Sequence, residues 1–207
     1  MKRALALIVV PVAAFSLAAC GGDDSGDSTS APSATTGAPT TGQAQTGRHN
    51  DQDITFAQMM IPHHQQAIEM SRLAATRASS PEVKQLAADI EKAQDPEIRQ
   101  MTAWLNSWGA SVPSPGTGGM GHGDHGGHGG MDGMMTEEEM RKLENAGGAA
   151  FDKMFLEMMI KHHEGAVAMA RTEQSAGQYP PAKAMATSIV NSQTTEITKM
   201  RDLLKSL

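Results

Sequence analysis

Two stretches carry most of the side chains able to do chemistry. "MMIPHHQQAIEM" spans residues 59–70, and "MMIKHHEGAVAM" follows 99 positions later, at 158–169. Each sets an adjacent histidine pair, His63-His64 or His162-His163, among methionines: Met59, Met60 and Met70 in the first, Met158, Met159 and Met169 in the second. Thioether sulfur selects Cu(I) among the common biological metals, and imidazole also suits copper. The chemistry suggested is therefore binding of a soft metal ion, with copper favoured and Cu(I) the preferred state.

The 99-residue offset extends beyond the histidines. Asp53 pairs with Asp152 and Phe56 with Phe155. Further on, Ile90, Gln94, Glu97, Ile98, Met101 and Leu105 pair with Ile189, Gln193, Glu196, Ile197, Met200 and Leu204. The chain thus contains a duplicated unit of two segments. Apolar residues recur at helical spacing, alanine is plentiful and β-branched runs are absent, so each segment reads as a helix. Ser80-Pro81-Glu82 and the capping box Thr136/Glu139 mark helix starts, and Gly109 and Gly177 mark stops. The expected helices are about 51–78, 81–108, 136–176 and 180–206, with Gly147-Gly148 a point of interruption in the third. Pro62 and Pro96 inside helical patterns predict kinks. Two α-hairpins with matching apolar faces predict an all-α, antiparallel four-helix bundle. With only seven aromatic residues in the chain, its core must be built from Ala, Leu, Ile and Met.

On a helical wheel, His63 and His64 both lie on the apolar face of the first helix, one on each side of its centre, with Asp53, Met59, Met60 and Met70. His162 and His163 do the same with Asp152, Met158, Met159 and Met169. Gln94, Glu97 and Met101 share the core face of the second helix, and Gln193, Glu196 and Met200 that of the fourth. A buried imidazole has two nitrogens to satisfy. A metal on one nitrogen and a Glu or Gln on the other would satisfy both. Asp53, Asp152, Gln94, Gln193, Glu97 and Glu196 are accordingly expected as ligands or as partners of ligands. Two other readings fit the same residues. A dinuclear iron or manganese site would use inward Glu and His from four helices, as in ferritin-like bundles, although the Glu-x-x-His spacing is absent. A purely structural bundle would use the polar residues to fix its packing, with Met as gap-filler.

Between the hairpins lies a tract too rich in glycine to fold alone, residues 112–135. Its "MGHGDHGGHGGMDGMM" supplies Met120, His122, His125, His128, Met131, Met134 and Met135, an expected flexible tract for metal capture. The N-terminus reads as a targeting segment, with Lys2 and Arg3 followed by an apolar run from Ala4 to Leu17. "LAAC", residues 17–20, resembles a lipobox. Cleavage after residue 19 and lipidation of Cys20, the only cysteine, would anchor the protein at the extracytoplasmic face of the cell membrane without a spanning helix. Residues 20–50, dominated by Ser, Thr, Gly, Pro and Asp, read as a disordered tether, leaving 51–207 as the folded domain. The net charge is −6, and loss of Lys2 and Arg3 makes it more negative, which argues against nucleic acid as a partner. No nucleophile motif, phosphate loop or dinucleotide fingerprint occurs, so binding is a better reading than catalysis.

The two "MMIxHH" stretches, each preceded by Asp and Phe and followed by "AQDPEIRQMTAWL" or "NSQTTEITKMRDLL", resemble the domain-of-unknown-function family 305 over residues 50–207, and "RHNDQDITFAQMM" resembles its actinobacterial branch. The resemblance implies a ferritin-like four-helix bundle in an exported or lipid-anchored protein linked to copper binding and resistance; a copper buffer or chaperone at the membrane is in turn expected to have a copper donor or acceptor protein as a partner. By position it marks Asp53, Met60, His63, His64, Gln94, Glu97 and Met101 and their counterparts 99 residues on.

Overall fold

The computed structural model describes residues 47–114 and 132–207. These form α1 (Asp51–Arg77), α2 (Pro81–Trp108), α3 (Glu137–Asn145), α4 (Ala149–Ala176) and α5 (Pro180–Ser206). α1 and α2 make one antiparallel hairpin, α4 and α5 the other, and α1 packs antiparallel on α4 along the central seam. The all-α antiparallel bundle is as expected. Among the described residues no helix is long and apolar enough to cross a membrane. Cys20, with the leader and most of the tether, lies outside the described residues.

Local signals explain the helix ends. Asn50 caps α1, its side chain accepting from the N–H groups of Gln52 and Asp53, while Asp53 accepts from Asn50 N–H in return. Ser80 caps α2 through Val83 N–H, and Pro81 occupies the first turn, where its missing N–H costs nothing. α2 stops at Gly109, whose φ of 69° is the left-handed conformation that glycine adopts without penalty. Both α1 and α2 run unbroken through Pro62 and Pro96.

The expected third helix, 136–176, is instead two. Thr136 and Glu139 form the anticipated capping box, but α3 ends at Asn145 and α4 begins only at Ala149. Gly148, at φ 62°, turns the chain so that its N–H donates to the Arg77 carbonyl at 2.8 Å. The break lets α3 fold over the end of the α1–α4 seam, where it buries Met140 and Leu143.

The core falls into two apolar clusters. One holds Met70, Leu86, Ile90, Leu143, Phe151, Phe155, Leu156, Met159 and Met200. The other holds Phe56, Met60, Ile61, Met101, Trp104, Leu105, Ala166 and Ile189. Each buried large side chain contributes about 1.5–3 kcal/mol, which offsets the cost of the polar layer between the clusters.

Asp53 and Asp152 are not in that polar layer, contrary to the expectation that they ligate metal or support a ligand. Ten residues of helix, about 15 Å, separate each from His63 or His162. Asp152 accepts from the N–H groups of Ser79 and Ser80 and from the Ser79 hydroxyl. Asp53 accepts from the N–H groups of Gln178 and Tyr179 at 2.9–3.2 Å, in addition to Asn50. Each aspartate thus clamps the interhelical turn of the opposite hairpin. The helical wheel placed them correctly on the buried face but could not tell position along the helix axis from partnership.

Candidate metal centre

His63 and His64 sit at the midpoint of α1, and His162 and His163 at the midpoint of α4, all fully buried. Because α1 and α4 run antiparallel, the two pairs meet at one level of the bundle. The rings of His63 and His162 face one another across the seam with centroids 3.7 Å apart. His64 turns toward α2, where its Nε2 lies 2.7 Å from Glu97 Oε2. His163 turns toward α5, where its Nε2 lies 2.7 Å from Glu196 Oε2.

A carboxylate accepts, so Nε2 carries the proton in both pairs when the imidazoles are neutral, and Nδ1 is left with its lone pair. That Nδ1 is buried without a hydrogen-bond partner in both His64 and His163. Both ring nitrogens of His63 and of His162 are likewise buried and unpartnered, as are the side-chain amide of Gln94 and the Oε1 of Gln193. A buried polar atom without a partner costs about 1–3 kcal/mol, and here such atoms share one level of the fold. Burial, reinforced by the neighbouring His64 and His163, pushes the His63 imidazole down to about 3. Burial, together with the other three histidines, pushes His162 well below its usual range. Both are therefore neutral at physiological pH, the state that binds metal without first losing a proton.

Thioethers flank this layer. Met60 lies one turn before His64 and Met101 one turn after Glu97, and both are fully buried in one apolar cluster. Met159 and Met200 hold the equivalent places in the other. Met59 and Met158, one turn from His63 and His162, are half-buried. Met70 and Met169 lie about 10 Å along their helices from His63 and His162. Met70 packs with Leu86 and Phe151, and Met169 against the other cluster, so both serve the core rather than the histidine layer.

The residues fit a soft metal with imidazole and thioether ligands and fit a carboxylate-bridged dinuclear site poorly. Glu97 and Glu196 are each engaged with a separate imidazole. Among the described residues, no three His, Cys, Asp or Glu side chains stand ready as a chelating group. With the His63 and His162 rings 3.7 Å apart, an ion entering between them must turn the rings aside, or draw on one imidazole together with the nearby sulfurs. Were a metal held there, Glu97 and Glu196 would be the carboxylates that orient its histidine ligands.

The expected metal-capturing linker is only partly in view. Met120, His122, His125, His128 and Met131 lie outside the described residues. Met134 is half-buried. Met135 is not a capturing residue: it is buried in the apolar cluster beneath α3, and its N–H and carbonyl are both hydrogen-bonded to the Gln66 side chain. Nothing in the spacing of Gln66 or Met135 signals that contact, because it joins segments 69 residues apart.

Known proteins share the fold. The family model for the domain of unknown function DUF305 matches residues 53–204. The crystal structure of a DUF305 protein from Streptomyces coelicolor superposes with a TM-score of 0.66 at 36% identity, covering 75% of this chain and 93% of that one. A DUF305 fragment from Deinococcus radiodurans gives 0.65 at 32% identity, covering 76% and 98%. CopM in its Cu(II)-bound form gives 0.62 at 36% identity, covering 74% and 96%, and CopM has also been solved with Cu(I) and with silver. An uncharacterised protein, L153, of Acanthamoeba polyphaga mimivirus is 43% identical over 54 residues, a match covering 26% of this chain and 36% of the viral protein's length. With its family match running nearly from the first clamp aspartate to the end of α5, this chain belongs to the DUF305 family.

Proposed function

We propose that this protein binds copper in the histidine layer between α1 and α4, as an exported, lipid-anchored buffer or chaperone for copper homeostasis or resistance. The observation that carries the reading is the set of buried, neutral, unpartnered imidazole nitrogens flanked by buried thioethers. Neutral nitrogen and thioether donors favour Cu(I), and binding would use donor atoms that folding alone leaves unsatisfied. The likeness to CopM, solved with Cu(I), Cu(II) and silver, supports the same metal here. His63 and His162, with Nδ1 of His64 and His163, are the proposed nitrogen donors, and Met60, Met101, Met159 and Met200 the sulfur donors. The lipobox-like segment ending at Cys20 supports anchoring at the extracytoplasmic face, where a donor or acceptor protein would exchange copper with the bundle.

The test is Cu(I) affinity by competition with a chromophoric chelator, in the wild-type chain and in a His63→Leu/His162→Leu variant. A tight component lost in the variant supports the centre. Equal affinity in both would leave the bundle with a purely structural polar layer.

A further inference from the structure

α1 and α4 carry different residues at one matched position, and both are used on the same piece of chain. Gln66 and Gly165 are 99 residues apart, each three residues beyond the first histidine of its pair. Gln66 holds the backbone of Met135 at two points: its Nε2 donates to the Met135 carbonyl at 2.8 Å, and its Oε1 accepts from the Met135 N–H at 2.7 Å. Gly165 is where the same strand of chain crosses α4. A Cβ there would collide with the Asp132 carbonyl oxygen and come within 3.0 Å of Gly133 Cα. Gly133 is itself constrained, at φ 89° and with the Lys161 carbonyl 2.8 Å from where its Cβ would stand. Residues Asp132–Met135 therefore form a strap that passes diagonally from α4 to α1 at the level of the histidines.

The strap lies on the His63–His162 side of the seam. Gln66 is close to His63 around the α1 helix and nearly opposite His64, which instead meets α2 through Glu97. The Asp132 backbone reaches the His63 ring, where it favours the protonated imidazole against the larger effect of burial. The histidine layer thus has a fixed wall and a different kind of wall. α2 and α5 close one side with whole helices, while the strap closes the other with four residues, two side-chain hydrogen bonds and one close glycine contact.

We infer that Gln66 and Gly165 are positioning residues that seat Asp132–Met135 as the removable wall of the histidine centre, so that release of the strap sets how fast copper enters and leaves. This rests on the metal-centre reading above. The strap does not supply the metal's ligands. It governs access, so its loss should speed uptake and release together and change the equilibrium affinity little.

The experiment measures transfer of Cu(I) from the full chain to a chromophoric Cu(I) chelator, alongside hydrogen exchange of the Met135 amide. The phase to follow is the one that vanishes in the His63→Leu/His162→Leu protein, which separates copper in the bundle from copper held elsewhere. Gln66→Ala removes both hydrogen bonds and should make that phase roughly tenfold faster, with the Met135 amide exchanging faster as well. Gly165→Ala should act in the same direction by unseating Asp132. Gln66→Glu keeps an acceptor for the Met135 N–H but loses the donor, so it should fall between wild type and Gln66→Ala. Faster Met135 exchange with unchanged copper transfer would overturn the inference, since the strap would move without gating. Unchanged Met135 exchange in Gln66→Ala would also overturn it, since Gln66 would not be what holds the strap. Absence of any histidine-dependent copper phase in the wild type would instead defeat the metal-centre reading on which the inference stands.

Discussion

The middle of the bundle and its two ends bury polar side chains in opposite ways. At the ends, Asp53 and Asp152 are fully buried, yet their oxygens collect N–H groups from the turns they clamp. In the middle, His63 and His162 are as deeply buried and have no hydrogen-bond partner at all. Burial alone therefore does not separate the clamp aspartates from the layer histidines, whereas satisfaction does. A satisfied group holds the fold together, and an unsatisfied one costs stability that something outside the fold must return.

The comparison makes opposite predictions for the two regions. His63→Leu with His162→Leu should weaken Cu(I) binding by on the order of 1,000-fold, about 4 kcal/mol, while the metal-free protein melts no lower than wild type, as followed by circular dichroism. A large loss of metal-free stability would break the contrast, because the histidines would then be structural. Asp152→Ala should do the reverse. Leaving the Ser79 and Ser80 N–H groups without their carboxylate should cost about 3 kcal/mol in denaturant unfolding, with copper bound per folded molecule unchanged.

A smaller effect belongs to the carboxylates that touch the histidines. Glu97→Ala should lower Cu(I) affinity by about 10- to 100-fold through loss of the partner on His64 Nε2, and Glu196→Ala should do the same through His163. Unequal effects would show that the two halves of the layer do not share the metal evenly.

The smallest effect separates the two ends from each other. Glu173 is buried beside Asp53, whereas the matched position in α1 is Ala74. Burial and the neighbouring Asp53 push Glu173 from 4.5 up to about 8. Burial opposes ionisation of Asp53, but Glu173 and the N–H groups of Asn50, Tyr179 and Gln178 outweigh it and hold Asp53 low. The folded state thus favours protonated Glu173. The stability this contributes is full below pH 4.5 and is lost as pH rises through about 8. Glu173→Gln should flatten the dependence of unfolding free energy on pH in that window and leave it unchanged at acid pH. An unaltered slope would show that Glu173 is not the titrating group.

The histidine layer was legible because adjacent residues on a helix inherit the helix's periodicity. His63 and His64 had to straddle an apolar face, and the second copy at His162 and His163 had to repeat it. Glu97 and Glu196 followed for the same reason, and the Thr136 cap and the Gly109 stop followed from local backbone chemistry. The break at Gly147-Gly148 was visible as a weakness in the third helix. That α3 would fold over the seam was not, because its direction depends on the contact between Gly148 and Arg77.

By itself the sequence determined what depends on near neighbours: four helical stretches with a weak point at Gly147-Gly148 in the third, which faces they bury, and that soft donors share those faces. Only the tertiary structure decided what depends on distant ones. It ran α1 antiparallel to α4 and so brought four midpoint histidines to one level. It also sent Asp53 and Asp152 to the ends and gave Gln66 and Gly165 a common strap. The reason is that helical periodicity specifies direction around an axis, while which groups meet across a seam is specified by the long-range packing of one helix on another.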